Sequence, residues 1–250
     1  RSNSTKATKR GACQCALDWL SNAYAPPSFR LAVYKWNERA MRVYRRLGFL
    51  PLARRGGFLI MARDERPFRD ATRPLQNGMP VYPGDPGFER RLYYTKEANG
   101  WNLSVFSMSA HAGTHIDAPS HAGLFGGVET ISPGRLNGSV QLLAWHTPDW
   151  GALRSPRVLL QTGGRGFTLQ EARRLVDAGV ALVGVDGLSV GAPEAELPVH
   201  TLLLQAGVAV LENAAIEDFA PGWYEMRCLP LSMPGSDGAP VRLLLREEAR

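Results

Sequence analysis

Apolar runs and helix-like stretches alternate through the second half of the chain. Four apolar runs of strand length are separated by polar and glycine-containing segments. Residues 168–180 place apolar side chains at helical spacing and meet Gly179 as a stop, and residues 197–206 are predicted to form another helix. The predicted strands are residues 140–146, 157–163, 181–186 and 208–213.

No stretch of the sequence has the composition of a membrane span or a secretion signal. Apolar runs stay well short of the roughly 18 residues that mark a transmembrane helix, and the N-terminal residues are polar. The three cysteines make no disulfide framework. We therefore expect a protein of the reducing cytoplasm.

Charge is distributed unevenly along the chain. Residues 1–73 hold 16 Lys and Arg against 5 Asp and Glu, a net of +11, whereas the remainder holds 13 against 18, a net of −5. Such asymmetry is compatible with binding to nucleic acid or to a membrane surface, and Arg42, Arg45 and Arg46 could line one helical face. No nucleic-acid motif accompanies this cluster, so we predict neither kind of partner.

Four of the five histidines fall in two short stretches that also contain carboxylates. One of them, HAGTHIDAPSH at residues 111–121, contains Gly and Pro, which disfavour a helix. In an extended segment His115 and Asp117 point to one face, and a turn at residues 112–113 would bring His111 beside them. Two imidazoles and one carboxylate can then converge.

These groups have the chemistry of an open metal site. Imidazole nitrogen and carboxylate oxygen suit Zn, Mn or Fe(II), and three protein ligands leave positions for water, as in catalytic sites. A bound metal lowers the pKa of its water to about 7 and polarises a carbonyl oxygen, which leaves His121 as the acid or base. A single histidine is more often a surface or core residue, and a metal with a purely structural role is a further alternative.

HAGTHIDAPSH resembles, without a departure, the signature HxGTHxDxPxH of the cyclase-like metal-dependent hydrolases, which include bacterial kynurenine formamidase (arylformamidase) and isatin hydrolase. The resemblance extends over about residues 69–250. It implies an acid-base role for His121 and two divalent ions, Zn or Mn. From the residues alone Glu212 would be a solvated or capping acid, but the resemblance implies that it bridges the metals. The implied metal ligands are His111, His115, Asp117, His200 and Glu212.

The resemblance also implies a substrate-binding residue. In the formamidases an aromatic residue of the xxWPGDxxF element lines the substrate pocket, and VYPGDPGF places Tyr82 there. Tyrosine keeps an aromatic face but adds a hydroxyl, which leaves the substrate open, and the surrounding prolines also suit a simple turn-flanking aromatic. We expect residues near Tyr82, Phe88 and Trp101 to set the size of the pocket.

Fold and assembly follow from the same resemblance. It implies an α/β fold over residues 66–250, a layered β/β/α domain in which a curved, mostly antiparallel sheet carries the metal ligands. His200 would be presented by the helix predicted at residues 197–206. The family commonly forms homodimers or homotetramers, which we expect here as well.

Residues 1–65 resemble another family. LAVYKWNERAMRVYRRLGFLPL is similar to the last helix and strand of GNAT acetyltransferases, with Asn37 and Tyr44 at the motif positions. KRGACQCALDWL resembles that family's pyrophosphate-binding helix start, with departures at Thr8 and Cys13. The first strands and the acceptor site of such a domain are absent, so we expect a truncated strand-helix-strand fragment without acetyl transfer.

These patterns together predict a metal-dependent amidohydrolase acting on carbon-nitrogen bonds other than peptide bonds. The leading reaction is hydrolysis of an aryl formamide such as N-formylkynurenine, a step of tryptophan degradation. The alternative on the same site is ring opening of a cyclic amide such as isatin, or hydrolysis of another small carbonyl compound. A hypothesis of another class is a coenzyme A-binding protein in which the GNAT-like remnant is functional and the rear domain is a regulator.

Overall fold

The computed structural model describes residues 14–20, 28–64, 66–146 and 149–248. The chain divides into two compact units, Arg1–Pro67 and Phe68–Arg250. The boundary expected from the sequence lies two residues earlier. Over the described ranges, no helix is long and apolar enough to cross a membrane.

The first unit is a small antiparallel sheet with helices. Asn37 caps its second helix, because the Asn37 side chain accepts a hydrogen bond from the Ala40 amide at 3.1 Å. Thr8 and Cys13 lie outside the described residues, and the GNAT resemblance stays a prediction. The sheet order is β1-β3-β2, and the elements are α1 (described over residues 14–20), β1 (Ser28–Tyr34), α2 (Glu38–Arg46), β2 (Leu50–Arg55) and β3 (Phe58–Asp64).

The second unit contains the strands and helices predicted from the apolar runs. Its strands are β4 (Arg69–Asp70), β5 (Glu89–Tyr94), β6 (Leu103–Ser107), β7 (His115–Asp117), β8 (Asn137–Ala144), β9 (Arg157–Gln161), β10 (Leu182–Val185), β11 (Ala209–Glu212), β12 (Gly222–Pro230) and β13 (Gly238–Glu247). Its α-helices are α3 (Lys96–Asn99), α4 (Pro133–Leu136), α5 (Leu169–Asp177) and α6 (Glu196–Gln205).

The main sheet of the second unit is closed. Among the described residues, seven strands form a ring in the order β12-β8-β9-β10-β11-β7-β13, because β12 also pairs with β13, and β4 adds to β13. The predicted α/β class is confirmed, and the curved sheet expected from the resemblance closes on itself. The pairs β8–β9, β9–β10 and β10–β11 are parallel. Parallel neighbours require crossover connections, which α5 and α6 supply between β9 and β11.

The two faces of the closed sheet carry separate apolar cores. Ile116, Leu159 and Leu211 belong to the core inside the ring. On the outer face, strand residues such as Val210 pack with Leu203 of α6. Because side chains alternate along a strand, the neighbours of Ile116 on β7 point outward, toward the side of the sheet that α6 covers.

Candidate metal centre

The turn before β7 is tied to the end of β11. Gly113 has φ +68°, a left-handed backbone conformation that favours glycine. The Thr114 hydroxyl donates to the Asn213 carbonyl at 2.7 Å and accepts from the Arg73 amide at 2.8 Å. These bonds hold the HAGTH segment against the residues that follow β11.

Strand register brings two distant ligands together. His115 on β7 lies directly opposite Glu212 on β11 in their antiparallel pairing, and Ile116 lies opposite Leu211. Since Ile116 and Leu211 point into the ring, His115, Asp117 and Glu212 share the outer face. The predicted convergence of His115 and Asp117 on one face is therefore found, with 3.4 Å between His115 Nε2 and Asp117 Oδ1.

Helix α6 supplies the fourth side chain. His200 Nδ1 donates to the carbonyl of Glu196, one turn earlier, at 2.9 Å. This bond directs His200 Nε2 to Glu212 Oε1 at 3.0 Å and to Asp117 Oδ2 at 3.5 Å. His115 is oriented in the same way, since its Nδ1 donates to the Gly113 carbonyl at 2.9 Å. In both residues the neutral tautomer leaves Nε2 with the lone pair that binds a metal.

His111 completes the cluster from the turn. Its Nδ1 lies 3.0 Å from Asp117 Oδ1, and its Nε2 lies 3.2 Å from Asp237 Oδ2. A Cβ on Gly238 would approach His111 Cε1 to 2.7 Å, so the absence of a side chain there makes room for the imidazole. The structure thus brings together all five side chains expected as metal ligands, and Glu212 is buried rather than solvated, with 4% exposure.

Two polar atoms at the centre of the cluster lack a hydrogen-bond partner within the described part of the chain. His115 Nε2 and Asp117 Oδ2 are both inaccessible to solvent, and the two residues are only 2% and 0% exposed. A buried, unpaired polar atom costs about 1–3 kcal/mol, and more for a charged group. The donor set of imidazole nitrogens and carboxylate oxygens fits a divalent cation, which would satisfy both atoms.

Electrostatics in the cluster couple the imidazoles to the carboxylates. Burial alone would lower the pKa of His115, but Asp117 and Glu212 outweigh it and raise the pKa to about 10. The same balance raises the pKa of His200 to about 11. Burial alone would raise the pKa of Asp117, yet the surrounding imidazoles hold it well below its usual range. The cluster therefore favours carboxylates in the ionised form, as metal ligation requires.

His121 stands apart from this pattern. It lies in a short 3-10 helix, Pro119–Ala122, with its ring centroid 4.2 Å from that of His111 and 5.3 Å from that of His200. Desolvation, with a further contribution from His111, lowers the pKa of His121 below its usual value. His121 is therefore neutral at pH 7 and can take up or release a proton beside the metal ligands.

The cluster opens into a cavity of about 360 Å³ that includes His111, His121, His200 and Glu212 in its lining. Tyr82 lines the same cavity, as predicted, and its hydroxyl donates to the carboxylate of Glu196. Phe88 and Trp101 themselves do not line this cavity, since Phe88 is buried beside Phe106 in the β5–β6 region and Trp101 is 64% exposed, and their influence on pocket size stays a prediction.

Sequence reasoning missed three acidic residues that line the cavity, Asp85, Glu196 and Asp237. Glu196 lies four residues before His200 on one helix, a spacing that places both on the same face and could have revealed it. Asp237 follows the SMPGS segment and reaches His111 only because β13 pairs with β7, so no local signal marks it.

Comparison with known proteins agrees with this geometry. The family model Cyclase, described as "Putative cyclase", matches residues 69–159. The kynurenine formamidase of Bacillus cereus is 32% identical over 205 residues, which cover 71% of this chain and 96% of that protein. This chain is a member of the cyclase-like family.

Solved structures with the cyclase-like fold extend the comparison. A predicted metal-dependent hydrolase from Bacillus stearothermophilus superimposes with a TM-score of 0.64 and 28% identity, covering 73% of this chain and 98% of that one. Isatin hydrolase A from Labrenzia aggregata, solved with benzyl benzoate, gives a TM-score of 0.61, with 73% of this chain and 94% of that one covered. Its 22% identity supports a common fold alone.

Proposed function

We propose that this cyclase-like protein is a divalent metal-dependent hydrolase that cleaves the carbon-nitrogen bond of a small amide, with an aryl formamide such as N-formylkynurenine as its substrate. The observation that carries the proposal is the convergence of imidazoles and carboxylates around His115 Nε2 and Asp117 Oδ2, two buried atoms that make no hydrogen bond within the described residues. The similarity to a kynurenine formamidase supports the choice of amide.

Two carboxylates would organise the metal ligands. Asp117 faces three imidazoles and Glu212 faces two, so these side chains would hold the ions, with Zn or Mn suiting the donors. When bound, such ions lower the pKa of a coordinated water and polarise the substrate carbonyl. The Val190 amide donates to Glu212 Oε1 at 2.6 Å, which fixes the Glu212 carboxylate in place.

His121 would move the proton. Its neutral imidazole can take a proton from the attacking water and pass it to the nitrogen of the leaving aniline, which departs as a neutral amine. General acid-base catalysis of this kind contributes roughly 10²- to 10⁴-fold in rate. His121 lies at the cavity next to His111 and His200, where this transfer is required.

The cavity volume of about 360 Å³ falls at the lower end of ligand sites, which suits a substrate with one aromatic ring. Tyr82 offers an aromatic wall to such a ring. Assembly as a homodimer or homotetramer and a location in the cytoplasm stay predictions.

The test combines metal analysis with turnover. We expect the purified protein to contain a divalent metal and to hydrolyse N-formylkynurenine in an absorbance assay, with His115→Ala and chelation each abolishing the activity. His146→Ala is the matched control, because His146 is exposed and outside the cluster. Turnover of isatin but not of the formamide would instead assign the ring-opening alternative. Activity that survives both His115→Ala and chelation would overturn the proposal.

A further inference from the structure

Three carboxylates line the cavity without a role in the proposed chemistry, and one of them, Asp237, already lies 3.2 Å from His111 Nε2. Asp85 follows Tyr82 in the YPGD turn, and Glu196 lies in the first turn of α6. We call these two residues the acidic wall. No Lys or Arg is found among the described residues that line the cavity, so no side chain of these two types pairs with the wall there.

In each carboxylate of the acidic wall, one oxygen accepts a hydrogen bond from a neighbouring hydroxyl group. Tyr82 donates its hydroxyl to Glu196 Oε2, and the Ser109 hydroxyl donates to Asp85 Oδ2 at 3.2 Å. From the described residues, no hydrogen bond reaches the second oxygen of either group. The carboxylates are thus oriented, and each retains an oxygen that can accept from a ligand.

The acidic character continues beyond the main cavity. An adjoining recess shares His121, Glu196 and His200 with it and adds Glu194, again with no Lys or Arg among its described lining residues. Divalent ions held by the metal ligands would add positive charge at the floor of the cavity, where His200 and Glu212 lie. The acidic wall presents carboxylates instead. His200 and Glu212 of the cavity lining adjoin a ligand site, because next to them His115 Nε2 and Asp117 Oδ2 are buried and make no hydrogen bond within the described residues.

We infer that the acidic wall, with Glu196 oriented by Tyr82, selects substrates that carry a primary ammonium group on the part that is not hydrolysed. The inference rests on the proposed function for the reacting group, the aryl formamide. An ammonium offers three donors and matches two carboxylates with free acceptor oxygens. The acidic wall adds no affinity for a neutral compound such as isatin, and it repels an anionic compound.

Three formanilides of similar size test the inference, substituted at the meta position with aminomethyl, hydroxymethyl or sulfomethyl. At pH 7 we expect kcat/KM to fall in the order cation, neutral, anion. In Glu196→Gln the ratio of kcat/KM for the cation to that for the neutral compound should fall about tenfold, as for loss of a charge-assisted hydrogen bond. Glutamine keeps the size of the side chain and the backbone carbonyl that orients His200, so general damage to catalysis cancels in the ratio.

Glu194→Gln is the matched control, because it removes the same charge two residues away at an exposed position outside the main cavity. Its ratio should change less than about twofold, since exposed charges are screened by solvent and salt. Asp85→Asn should lower the ratio in the same direction as Glu196→Gln. An equal change in Glu194→Gln and Glu196→Gln would contradict a specific contact.

A binding measurement separates this inference from the proposed function. Calorimetry on the metal-loaded protein compares benzylammonium with benzyl alcohol, neither of which can be hydrolysed. We expect benzylammonium to bind more tightly, and Glu196→Gln to remove that preference. If no formanilide is hydrolysed but the preference depends on Glu196, the proposed function fails and the inference stands. If the formanilides are hydrolysed without a charge preference and both probes bind alike, the inference fails and the proposed function stands.

Discussion

The floor and the acidic wall of the cavity are built by different means. By the floor we mean the buried metal ligands His115, Asp117, His200 and Glu212, of which His200 and Glu212 line the cavity. They come from neighbouring strands and the helix that covers them. The acidic wall is partly exposed and comes from a turn and the start of α6. Strand register cannot shift without moving every ligand to the other face, whereas a turn can vary without cost to the sheet. The sheet therefore fixes the positions of the metal ligands, whereas the residues proposed to set substrate specificity can change without disturbing it.

The largest effect is expected when a metal ligand is removed. His115→Ala should lower kcat/KM by roughly 10³-fold or more, because a metal ion supplies several kcal/mol of transition-state stabilisation. Metal content, measured by elemental analysis, should fall in parallel. A variant that loses activity but keeps its full metal content would place His115 outside the ligand set.

His121→Asn distinguishes a proton-transfer role from a ligand role. Asparagine keeps a polar group but cannot carry the proton, so kcat should fall roughly 10²- to 10⁴-fold while metal content stays at the wild-type level. The measurement matters because the His121 side chain also lies within coordinating reach of Asp117 and His200. Loss of metal in this variant would make His121 a ligand and leave the acid-base role unassigned.

Metal binding should depend on pH, because protons compete with the metal for the imidazole nitrogens of His115 and His200. Without a metal, the raised pKa values of His115, about 10, and His200, about 11, keep both imidazoles protonated at neutral pH. A divalent ion must displace these protons, so affinity should rise with pH by roughly tenfold per unit for each proton displaced. Calorimetry in buffers of different ionisation enthalpy should detect the released protons. Affinity that is constant between pH 6 and 8 would contradict the ion pairs.

Tyr82→Phe tests whether the Tyr82 hydroxyl orients the Glu196 carboxylate of the acidic wall. It keeps the aromatic ring but removes the hydroxyl that donates to Glu196. The preference for an ammonium-bearing formanilide over a neutral one should fall roughly 2- to 10-fold, the value of one hydrogen bond, with metal content unchanged. An unaltered preference would mean that Glu196 does not depend on Tyr82 for its orientation.

The smallest effect is expected in the first unit. Tyr44, at the position of the GNAT motif tyrosine, packs against Phe49 within its own small core. Tyr44→Phe should leave formamide hydrolysis unchanged, and titration of the whole protein with coenzyme A should show no heat of binding. Binding of coenzyme A would instead revive the hypothesis of a functional remnant with a regulatory rear domain.

Prediction succeeded wherever the signal was local. The alternation in HAGTHIDAPSH placed His115 and Asp117 on one face, and the apolar spacing of residues 168–180 identified α5. It failed where partners were distant in sequence. The residues alone suggested a solvated Glu212 and gave no sign of Asp237, because no periodicity reports which turn faces which strand.

The sequence by itself determined the ligand types, their spacing around β7 and the helices and strands that carry them, since each depends on residues within a few positions of one another. Only the tertiary structure decided that the sheet closes, that Glu212 lies opposite His115, and that Glu196 and Asp237 reach the cavity. Those outcomes depend on pairing register between strands far apart in the chain. Register is selected by burying one face of every strand at once, which no single segment of sequence specifies.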